Sequence, residues 1–346
     1  MTNYIWGNEE TQFFYSLTPE LILQAVDSLG IQTTGRCLTL NSMENRVYEV
    51  EIDIDESKVH SESDKFVVAK FYRPGRWSYE QIMDEHNYLL ELKDNELPAI
   101  APLVLNGKSL FELEIDSKNK IYFCLFPKKG GRTLFEMSTE QIEIIGRLIA
   151  RIHNIGKSQI AKHRITISPE SFGMQNLSYL LNHRTLPTHY ENIYKGLVEE
   201  LVKIITPKFE KVQYHRVHGD CHWGNLIWRD EGPYFIDFDD MLMGPAVQDI
   251  WLIIPGTDQE AQIQRNILLE AYESMGSFDY KSLNLIEPLR TLRYIHFSAW
   301  IAKRWEDPAF KQSFPHFGTE NYWAEQVSDL RNQINIIQNQ NNPQYL

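Results

Sequence analysis

The segment spanning residues 218–240, HGDCHWGNLIWRDEGPYFIDFDD, concentrates polar side chains around a short apolar hairpin. Asp220 and Asn225 stand in the relation D-x-x-x-x-N, which is the spacing of a kinase catalytic loop. The stretches Leu226–Arg229 and Tyr234–Ile236 read as two strands joined by a turn at 230–233. Folding this hairpin brings the residue before its first strand beside the residue after its second strand.

Those two residues are Asn225 and Asp237, which supply an amide oxygen and a carboxylate. Because Mg²⁺ is a hard cation that takes oxygen ligands, we predict that the two residues hold Mg²⁺ against the phosphates of ATP. Asp220 is predicted to accept or orient the proton of an acceptor hydroxyl. The residue types and their spacing therefore predict phosphoryl transfer, with Asp220 and Asp237 as the catalytic carboxylates.

The residue types in this loop also allow two other chemistries. His218, Cys221 and His222 are zinc-ligand residue types, but they crowd into one short loop and match no standard zinc spacing. A Cys–His nucleophilic pair is disfavoured because neighbours in sequence rarely point at each other. Packing of Cys221 as a small hydrophobic residue is favoured over a role in oxidation sensing, which stays open.

Lys70, in the apolar stretch FVVAKFY, is predicted to lie on a strand and to need a negative partner. Ser78 and Gln81 form a capping-box signature that starts a helix, and Glu85 falls on the apolar stripe of that helix. We predict a Lys70–Glu85 ion pair that holds the ammonium over nucleotide phosphates, as in the VAIK motif of protein kinases. The alternative is a lysine on the exposed face of an edge strand.

The order of predicted elements indicates an α+β, bilobal fold like that of protein kinases. Strand-like patterns (RVYEVEID, KFVVAKFY and KIYFCLFP) fill the first part of the chain and end at Pro127, where KKGGR follows as a hinge. Helical patterns dominate beyond it, including Ser138–Gly156, in which His153 is expected to be structural, and LRTLRYIHFSAWIAKRW. The boundary predicts a nucleotide-binding lobe at 1–127 and a catalytic and substrate lobe at 128–346.

Composition excludes several classes of partner. The 346 residues carry a net charge of −13, which argues against binding to nucleic acid or to anionic membranes. Three separated cysteines fit a reducing compartment, and neither a secretory signal nor an apolar run of about 20 residues is visible. A cytoplasmic monomer is expected.

The motifs HGDCHWGN and FIDFDD together resemble the aminoglycoside-phosphotransferase and choline-kinase-like branch of the kinase fold, where HGD replaces the HRD of protein kinases. More narrowly, flanking blocks between about Leu38 and Trp323 resemble the bacterial stress response kinase A family. These blocks are LNSMENRVYEV, FVVAKFYRPGRW, FPKKGGR, GPAVQDIW and EPLRTLRYIHFSAWIAKRWEDPAF. The resemblance implies a cytoplasmic, ATP-dependent serine/threonine kinase linked to survival under stress.

The same resemblance assigns residues. It implies that Asp220 is the proton acceptor, with the Mg²⁺ ligands and the ion pair as argued above, and it places Ser42 in the nucleotide loop. Asp249 is expected to anchor the catalytic loop through backbone hydrogen bonds. The role of Asp239 stays open between metal binding and structure.

Two departures from ordinary protein kinases bear on function. The loop TLNSMENRVYEV contains no glycine, so Ser42 and Asn45 are expected to contact phosphates through their side chains. No A-P-E element follows Asp237, so regulation by phosphorylation of a long activation loop is not expected.

Three functions remain as hypotheses. The leading one is a serine/threonine protein kinase, and the alternative is a kinase for a small alcohol such as homoserine, choline or an aminoglycoside. Arg290, Arg293, Lys303 and Arg304 disfavour a cationic acceptor, although a solvated helix face explains them equally. A nucleotide-binding pseudokinase is disfavoured because every predicted catalytic position is filled.

Overall fold

The computed structural model of the chain describes Phe14 and residues 16–117, 119–134 and 136–340. The N-terminal lobe is a five-stranded antiparallel sheet in the order β1-β2-β3-β5-β4. Its strands are β1 (Thr33–Leu40), β2 (Arg46–Ile52), β3 (Phe66–Phe71), β4 (Phe111–Glu114) and β5 (Lys120–Pro127). Two helices accompany the sheet, α1 (Pro19–Asp27) and α2 (Tyr79–Asp94).

Strand β3 lies in the middle of this sheet, paired with β2 on one side and β5 on the other. Alternate residues from the three strands, together with α1, form an apolar core that includes Val50, Ala69, Phe71 and Phe123. Lys70 is only 6% exposed. The alternative of an exposed lysine on an edge strand is therefore wrong.

Helix α2 begins as the sequence predicts. The side chain of Ser78 accepts a hydrogen bond from the backbone N–H of Gln81, whose own side chain accepts from the N–H of Ser78. The inward stripe of the helix is buried, and Glu85 is buried with it at 1% exposure. The capping box therefore fixes which face of the helix, and with it which carboxylate, turns toward β3.

The C-terminal lobe is mainly helical and surrounds one large apolar core. Its helices are α3 (Thr139–Gly156), α4 (Gln175–Asn182), α5 (Thr188–Phe209), α6 (Val247–Ile253), α7 (Gln259–Glu273), α8 (Ile286–Ala302), α9 (Pro308–Ser313) and α10 (Glu320–Gln340). Two small ladders pair β6 (His215–Val217) with β9 (Leu242–Gly244) and β7 (Leu226–Arg229) with β8 (Gly232–Phe235). The helices predicted at 138–156 and over LRTLRYIHFSAWIAKRW are both present, as α3 and α8. The bilobal α+β fold is confirmed.

The hairpin β7–β8 is tighter than predicted. Its second strand is Gly232–Phe235 rather than Tyr234–Ile236, so the turn consists of two residues, 230 and 231. Gly232 makes this turn with a φ of +127°, a conformation that side-chain-bearing residues rarely adopt. Pro233 then lies opposite Trp228 at a non-hydrogen-bonded position, where its missing N–H is tolerated.

The segment after β5 packs directly onto this hairpin. A Cβ atom on Gly131 would lie 2.1 Å from a methyl group of Ile227, so only glycine permits the contact. Arg132 exchanges two backbone hydrogen bonds with Trp228, at 3.0 and 2.9 Å. The glycine pair, predicted as a hinge, therefore also has a packing role. The lobe boundary at 127/128 stays a prediction.

None of the helices that the structure describes combines the length and the apolar character needed to cross a bilayer.

Candidate active site

A cleft of about 840 Å³ lies between the lobes. It is bounded by the β1–β2 loop, by β3, by the segment after β5 and by the catalytic loop. Five of the six predicted site residues line it, namely Ser42, Lys70, Glu85, Asp220 and Asp237. The sixth, Asn225, lies just beneath the surface at 9% exposure. Residues far apart in the chain are therefore brought together as predicted, although their binding roles stay predictions.

Lys70 is surrounded by carboxylates at the back of this cleft. Its Nζ lies 3.5 Å from Glu85, as predicted, but it lies closer to Asp239, at 3.0 Å, and 3.6 Å from Asp237. Burial by itself would lower the pKa of Lys70, but Asp239, Glu85 and Asp237 outweigh it and hold the pKa above its ordinary value. Lys70 therefore stays cationic in a buried place, which suits a group that faces phosphates.

Asp239, whose role the sequence leaves open, is a buried anchor. One carboxylate oxygen contacts Lys70 and the other contacts the guanidinium of Arg76. Burial would raise the pKa of Asp239, but Arg76 and Lys70 hold it well below its ordinary range. Since cations engage both oxygens, we assign Asp239 a structural role rather than one in metal binding.

Arg164 completes this buried network. Its guanidinium donates to Glu85 at 2.8 Å, to the backbone carbonyl of Gln81 at 2.7 Å and to that of Asp239 at 2.6 Å. Burial raises the pKa of Glu85 even though Lys70 and Arg164 oppose the shift. Arg164 thereby fastens α2 to the segment that follows β8, which holds the lysine, the glutamate and the second lobe in one arrangement.

Asp249 holds the catalytic loop, residues 218–225, through the backbone of its first two residues. Its two carboxylate oxygens accept the backbone N–H groups of His218 and Gly219, each at 2.9 Å, and His153 contacts the same carboxylate at 3.0 Å. The predicted anchoring role of Asp249 is confirmed, as is the structural role of His153. Gly219 has a φ of +85°, and a Cβ atom there would lie 2.2 Å from the carbonyl oxygen of Asp240. Only glycine fits the middle position of HGD in this loop.

Asp220 projects from this loop with its side chain 23% exposed. Its Oδ2 lies 3.4 Å from Nε2 of His222, and its Oδ1 lies 2.9 Å from Nη1 of Arg293 on α8. Burial alone would raise the pKa of Asp220, but the hydrogen bond from His222 and the charge of Arg293 hold it well below its ordinary range. Asp220 is therefore ionised, as a residue that orients and accepts a hydroxyl proton must be.

Asn225 and Asp237 meet as the hairpin argument predicts, because the backbone N–H of Ile236 donates to the carbonyl of Asn225 at 3.0 Å. The side-chain amide of Asn225 donates to the carbonyl of Asp220 at 2.9 Å, so its Oδ1 faces away from that carbonyl and is left to accept. Asp237 is exposed in the cleft, with a side chain that is 56% accessible. Its φ of +60° is a strained, left-handed conformation of the kind found at functional sites.

The donor set of Asn225 and Asp237, an amide oxygen and a carboxylate, fits Mg²⁺. Across the described residues no group of three or more His, Cys, Asp or Glu side chains converges as a metal site. The residues of the rejected zinc site have separate environments: Nε2 of His218 contacts the carbonyl of Ile236 at 2.9 Å, and Cys221 is buried with its pKa raised well above the ordinary value by burial.

Glu44 joins the β1–β2 loop to the C-terminal lobe, and the sequence analysis does not identify it. Glu44 accepts from Trp300 at 2.8 Å and pairs with Arg304 at 2.6 Å and with Arg73 at 3.2 Å. Asn45, expected at the phosphates, is buried, and its Oδ1 accepts the N–H of Arg73 at 3.1 Å. Arg76 lies in FYRPGRW, within one of the segments that carry the family resemblance. No local pattern in the sequence indicates Arg164.

A second cavity, of about 210 Å³, adjoins the cleft on the side of α8. The two spaces share a boundary, which is formed by Glu44, Arg76, Asp220, Asp240 and Trp300. Asp220 thus stands between a large space with a buried cation and a small space lined partly by aromatic side chains. That is the placement of a group that acts on an acceptor while a phosphate donor occupies the neighbouring cleft.

Two sequence relatives cover nearly the whole chain. Stress response kinase A of Escherichia coli K12 is 36% identical over 332 residues, which cover 96% of this chain and 97% of that protein. The serine/threonine protein kinase RdoA of Salmonella typhimurium LT2 is 35% identical over 331 residues, covering 95% and 96%.

Solved structures agree on the fold. An amicoumacin kinase in complex with AMP-PNP, Ca²⁺ and the ligand Ami superimposes with a TM-score of 0.73 at 17% identity, covering 95% of this chain and 96% of that chain. A microcompartment-associated aminopropanol kinase gives a TM-score of 0.62 at 15% identity, covering 91% and 96%.

The sequence profile of the phosphotransferase enzyme family matches residues 40–286, a span that contains every predicted site residue. With the shared architecture and the relatives above, the chain belongs to the phosphotransferase enzyme family and, within it, to the stress response kinase A family.

Proposed function

We propose that the protein is an ATP- and Mg²⁺-dependent kinase that phosphorylates serine and threonine hydroxyls of other proteins in a bacterial stress response. One observation carries this proposal: the ionised Asp220 lies on the boundary between the interlobe cleft and the smaller cavity beside α8. The names of the sequence relatives support the acceptor class and the stress response. The proposal includes action as a monomer in the cytoplasm.

The reaction follows from these positions. ATP occupies the interlobe cleft, and the acceptor hydroxyl enters from the smaller cavity and is oriented by Asp220. The hydroxyl oxygen forms a bond to the γ-phosphorus while the bond to the β–γ bridging oxygen breaks, so ADP leaves and Asp220 takes the hydroxyl proton. Lys70 balances phosphate charge, and Asn225 with Asp237 would hold the metal. When bound, Mg²⁺ supplies neutralisation of the charge on the phosphates.

A second candidate is a kinase for a small alcohol. The cavity next to Asp220 is compact, at about 210 Å³, and several walls are aromatic, which suits a small acceptor as well as a single side chain. The solved structures that are similar in fold include kinases named for amicoumacin and for aminopropanol. Both candidates use the same catalytic residues and differ in what fills the smaller cavity.

Transfer of labelled γ-phosphate from ATP into a cell lysate tests the two candidates. The purified protein is incubated with Mg²⁺, and the lysate is separated into protein and small-molecule fractions. Label in protein that disappears with the Asp220→Asn variant supports the proposed function. Label found only in a small alcohol would refute the protein-kinase proposal and favour the second candidate.

A further inference from the structure

We propose that the acceptor carries an anionic group, a carboxylate or a phosphate, a few atoms from the hydroxyl that is phosphorylated, and that Arg293 binds this group. The inference deepens the proposed function and rests on it for the position of the acceptor. It assigns to the smaller cavity a charge preference that the name of the family does not specify.

Arg293 covers one oxygen of the catalytic carboxylate. Its Nη1 lies 2.9 Å from Oδ1 of Asp220. That oxygen is buried and makes no well-aligned hydrogen bond to any of the described residues. Arg293 lines the smaller cavity and not the interlobe cleft, whereas His222, which lies beside the other oxygen, lines the cleft and not the smaller cavity. An acceptor that reaches Asp220 from the smaller cavity therefore meets the guanidinium first.

Binding of an acceptor at Asp220 displaces that guanidinium. A neutral acceptor would take Oδ1 of Asp220 and leave only water to replace the carboxylate as the partner of Arg293. An acceptor with its own anion replaces the lost partner, because a guanidinium offers several donors in a planar fork that suits carboxylate and phosphate. The side chain of Arg293 is 42% exposed, so it can turn toward an incoming group.

The other arginines that line this cavity already contact carboxylates. Arg76 contacts Asp239 and Asp240, and Arg304 contacts Glu44. The Arg293 side chain differs because its partner within the described part of the chain is the catalytic residue itself. It is therefore the cation whose pairing must change whenever an acceptor binds.

The walls around Arg293 suit a side chain rather than a bulky cation. Phe297 and Trp300, on the same helix α8, stack with ring centres 5.6 Å apart and form an apolar side of the cavity. A cationic acceptor of the choline or aminoglycoside type would face the positive charge of Arg293 at the point where its hydroxyl must enter. Serine or threonine next to an acidic group satisfies both the aromatic wall and the arginine.

Three serine peptides that differ at one position test the inference. The residue next to the serine is aspartate, asparagine or lysine, and kcat/KM is measured with Mg-ATP for each peptide. We expect the aspartate peptide to exceed the asparagine peptide by roughly 10- to 100-fold, the usual effect of one charge-assisted contact. In Arg293→Gln that ratio falls to about one through a higher KM for the peptide. The KM for ATP does not change. Arg293→Glu shifts the preference to the lysine peptide.

A parallel arm uses small acceptors of matched size: 3-hydroxypropionate, 3-hydroxypropionamide and 3-aminopropanol. The carboxylate is expected to be the preferred acceptor, again only while Arg293 is present. Arg331→Gln serves as the matched control, since it removes one positive charge from an exposed place on α10. This variant is expected to keep the wild-type selectivity in both arms.

The two arms separate the inference from the proposed function. Transfer to neutral or lysine-bearing peptides in preference to the aspartate peptide would overturn the inference and leave the protein-kinase proposal standing. Transfer to 3-hydroxypropionate but to no peptide would support the inference and refute that proposal. The inference is also overturned if no anionic acceptor is phosphorylated in either arm, or if Arg293→Gln retains the preference for aspartate.

Discussion

Two groups of charged residues face the same cleft and differ in how they are satisfied. The group around Lys70, with Glu85, Arg164, Asp239 and Arg76, is almost fully buried, and each charge contacts at least two others or a backbone group. The group around Asp220 and Asp237 is partly exposed and sparsely paired.

The difference in burial suggests different roles: the buried group positions other residues, and the exposed group takes part in the chemistry. Buried charges need partners because desolvation is costly, so the first group is a rigid frame with a single arrangement. Charges at the mouth of a cleft keep water as an alternative partner and can exchange it for a substrate. We therefore expect substitutions in the frame to act mainly on stability, and those at the mouth to act mainly on turnover or binding.

The largest effect is expected for Asp220→Asn. The amide keeps the shape of the side chain but cannot take the hydroxyl proton, so kcat should fall by about 10²- to 10⁴-fold. Nucleotide affinity should stay the same, because Asp220 acts on the acceptor rather than on ATP. Steady-state transfer and ADP binding by calorimetry measure the two quantities, and an unchanged kcat would refute the assigned role.

Next in size is Arg164→Ala, which belongs to the frame. Removing the guanidinium leaves Glu85 and the carbonyl of Asp239 buried without that partner, and the free energy of unfolding should fall by about 3–5 kcal/mol. Chemical denaturation measures this loss. Arg293→Gln at the mouth is the comparison and should change it by less than about 1 kcal/mol. Equal losses in the two variants would remove the distinction between frame and mouth.

A smaller effect is expected for Asp237→Ala. Its carboxylate is exposed and lies only at the edge of the frame, so the free energy of unfolding should change by less than about 1 kcal/mol. Affinity for Mg-ATP should nevertheless fall by roughly 10- to 100-fold, the usual value of one interaction with a charged group. Calorimetric titration of Mg-ATP into both proteins tests this, and equal affinities would exclude Asp237 as a metal ligand.

The smallest effect concerns the pH dependence of Arg293→Gln. Arg293 helps to hold the pKa of Asp220 below its ordinary value, so removing the guanidinium raises that pKa. Because the ionised form is the active one, the acid limb of kcat/KM should move to higher pH. The pH profiles of the wild type and the variant should therefore separate only on their acidic side. Identical acid limbs would show that Arg293 does not influence Asp220.

The sequence predicts those features whose determinants are local. The capping box at Ser78 sets the phase of α2, which turns Glu85 inward, and the D-x-x-x-x-N spacing together with the hairpin brings Asn225 to Asp237. The resemblance to known kinases supplied Asp249 in the same way, as one residue of a short motif. In each case a few neighbouring residues determine the geometry.

The features that were missed depend on contacts between distant parts of the chain. Arg164 meets Glu85 across 79 positions, and Glu44 meets Trp300 across 256, so no local pattern identifies either pair. The predicted turn of the β7–β8 hairpin is wrong for a different reason. Gly232 and Pro233 are residue types typical of turns, but both lie in strand β8. Tertiary contacts, rather than propensity, decide such cases.

The contacts of Glu44 predict that the binding of nucleotide and the binding of acceptor are thermodynamically interdependent. It belongs to the loop over the nucleotide cleft, yet its partners Trp300 and Arg304 lie on or just after α8, the helix that carries Arg293. We expect a ligand that changes the position of either element to shift the other in part through this carboxylate. Since coupling of this kind is reciprocal, nucleotide and acceptor should alter each other's affinity by the same factor, and replacing Glu44 with glutamine should bring that factor closer to one.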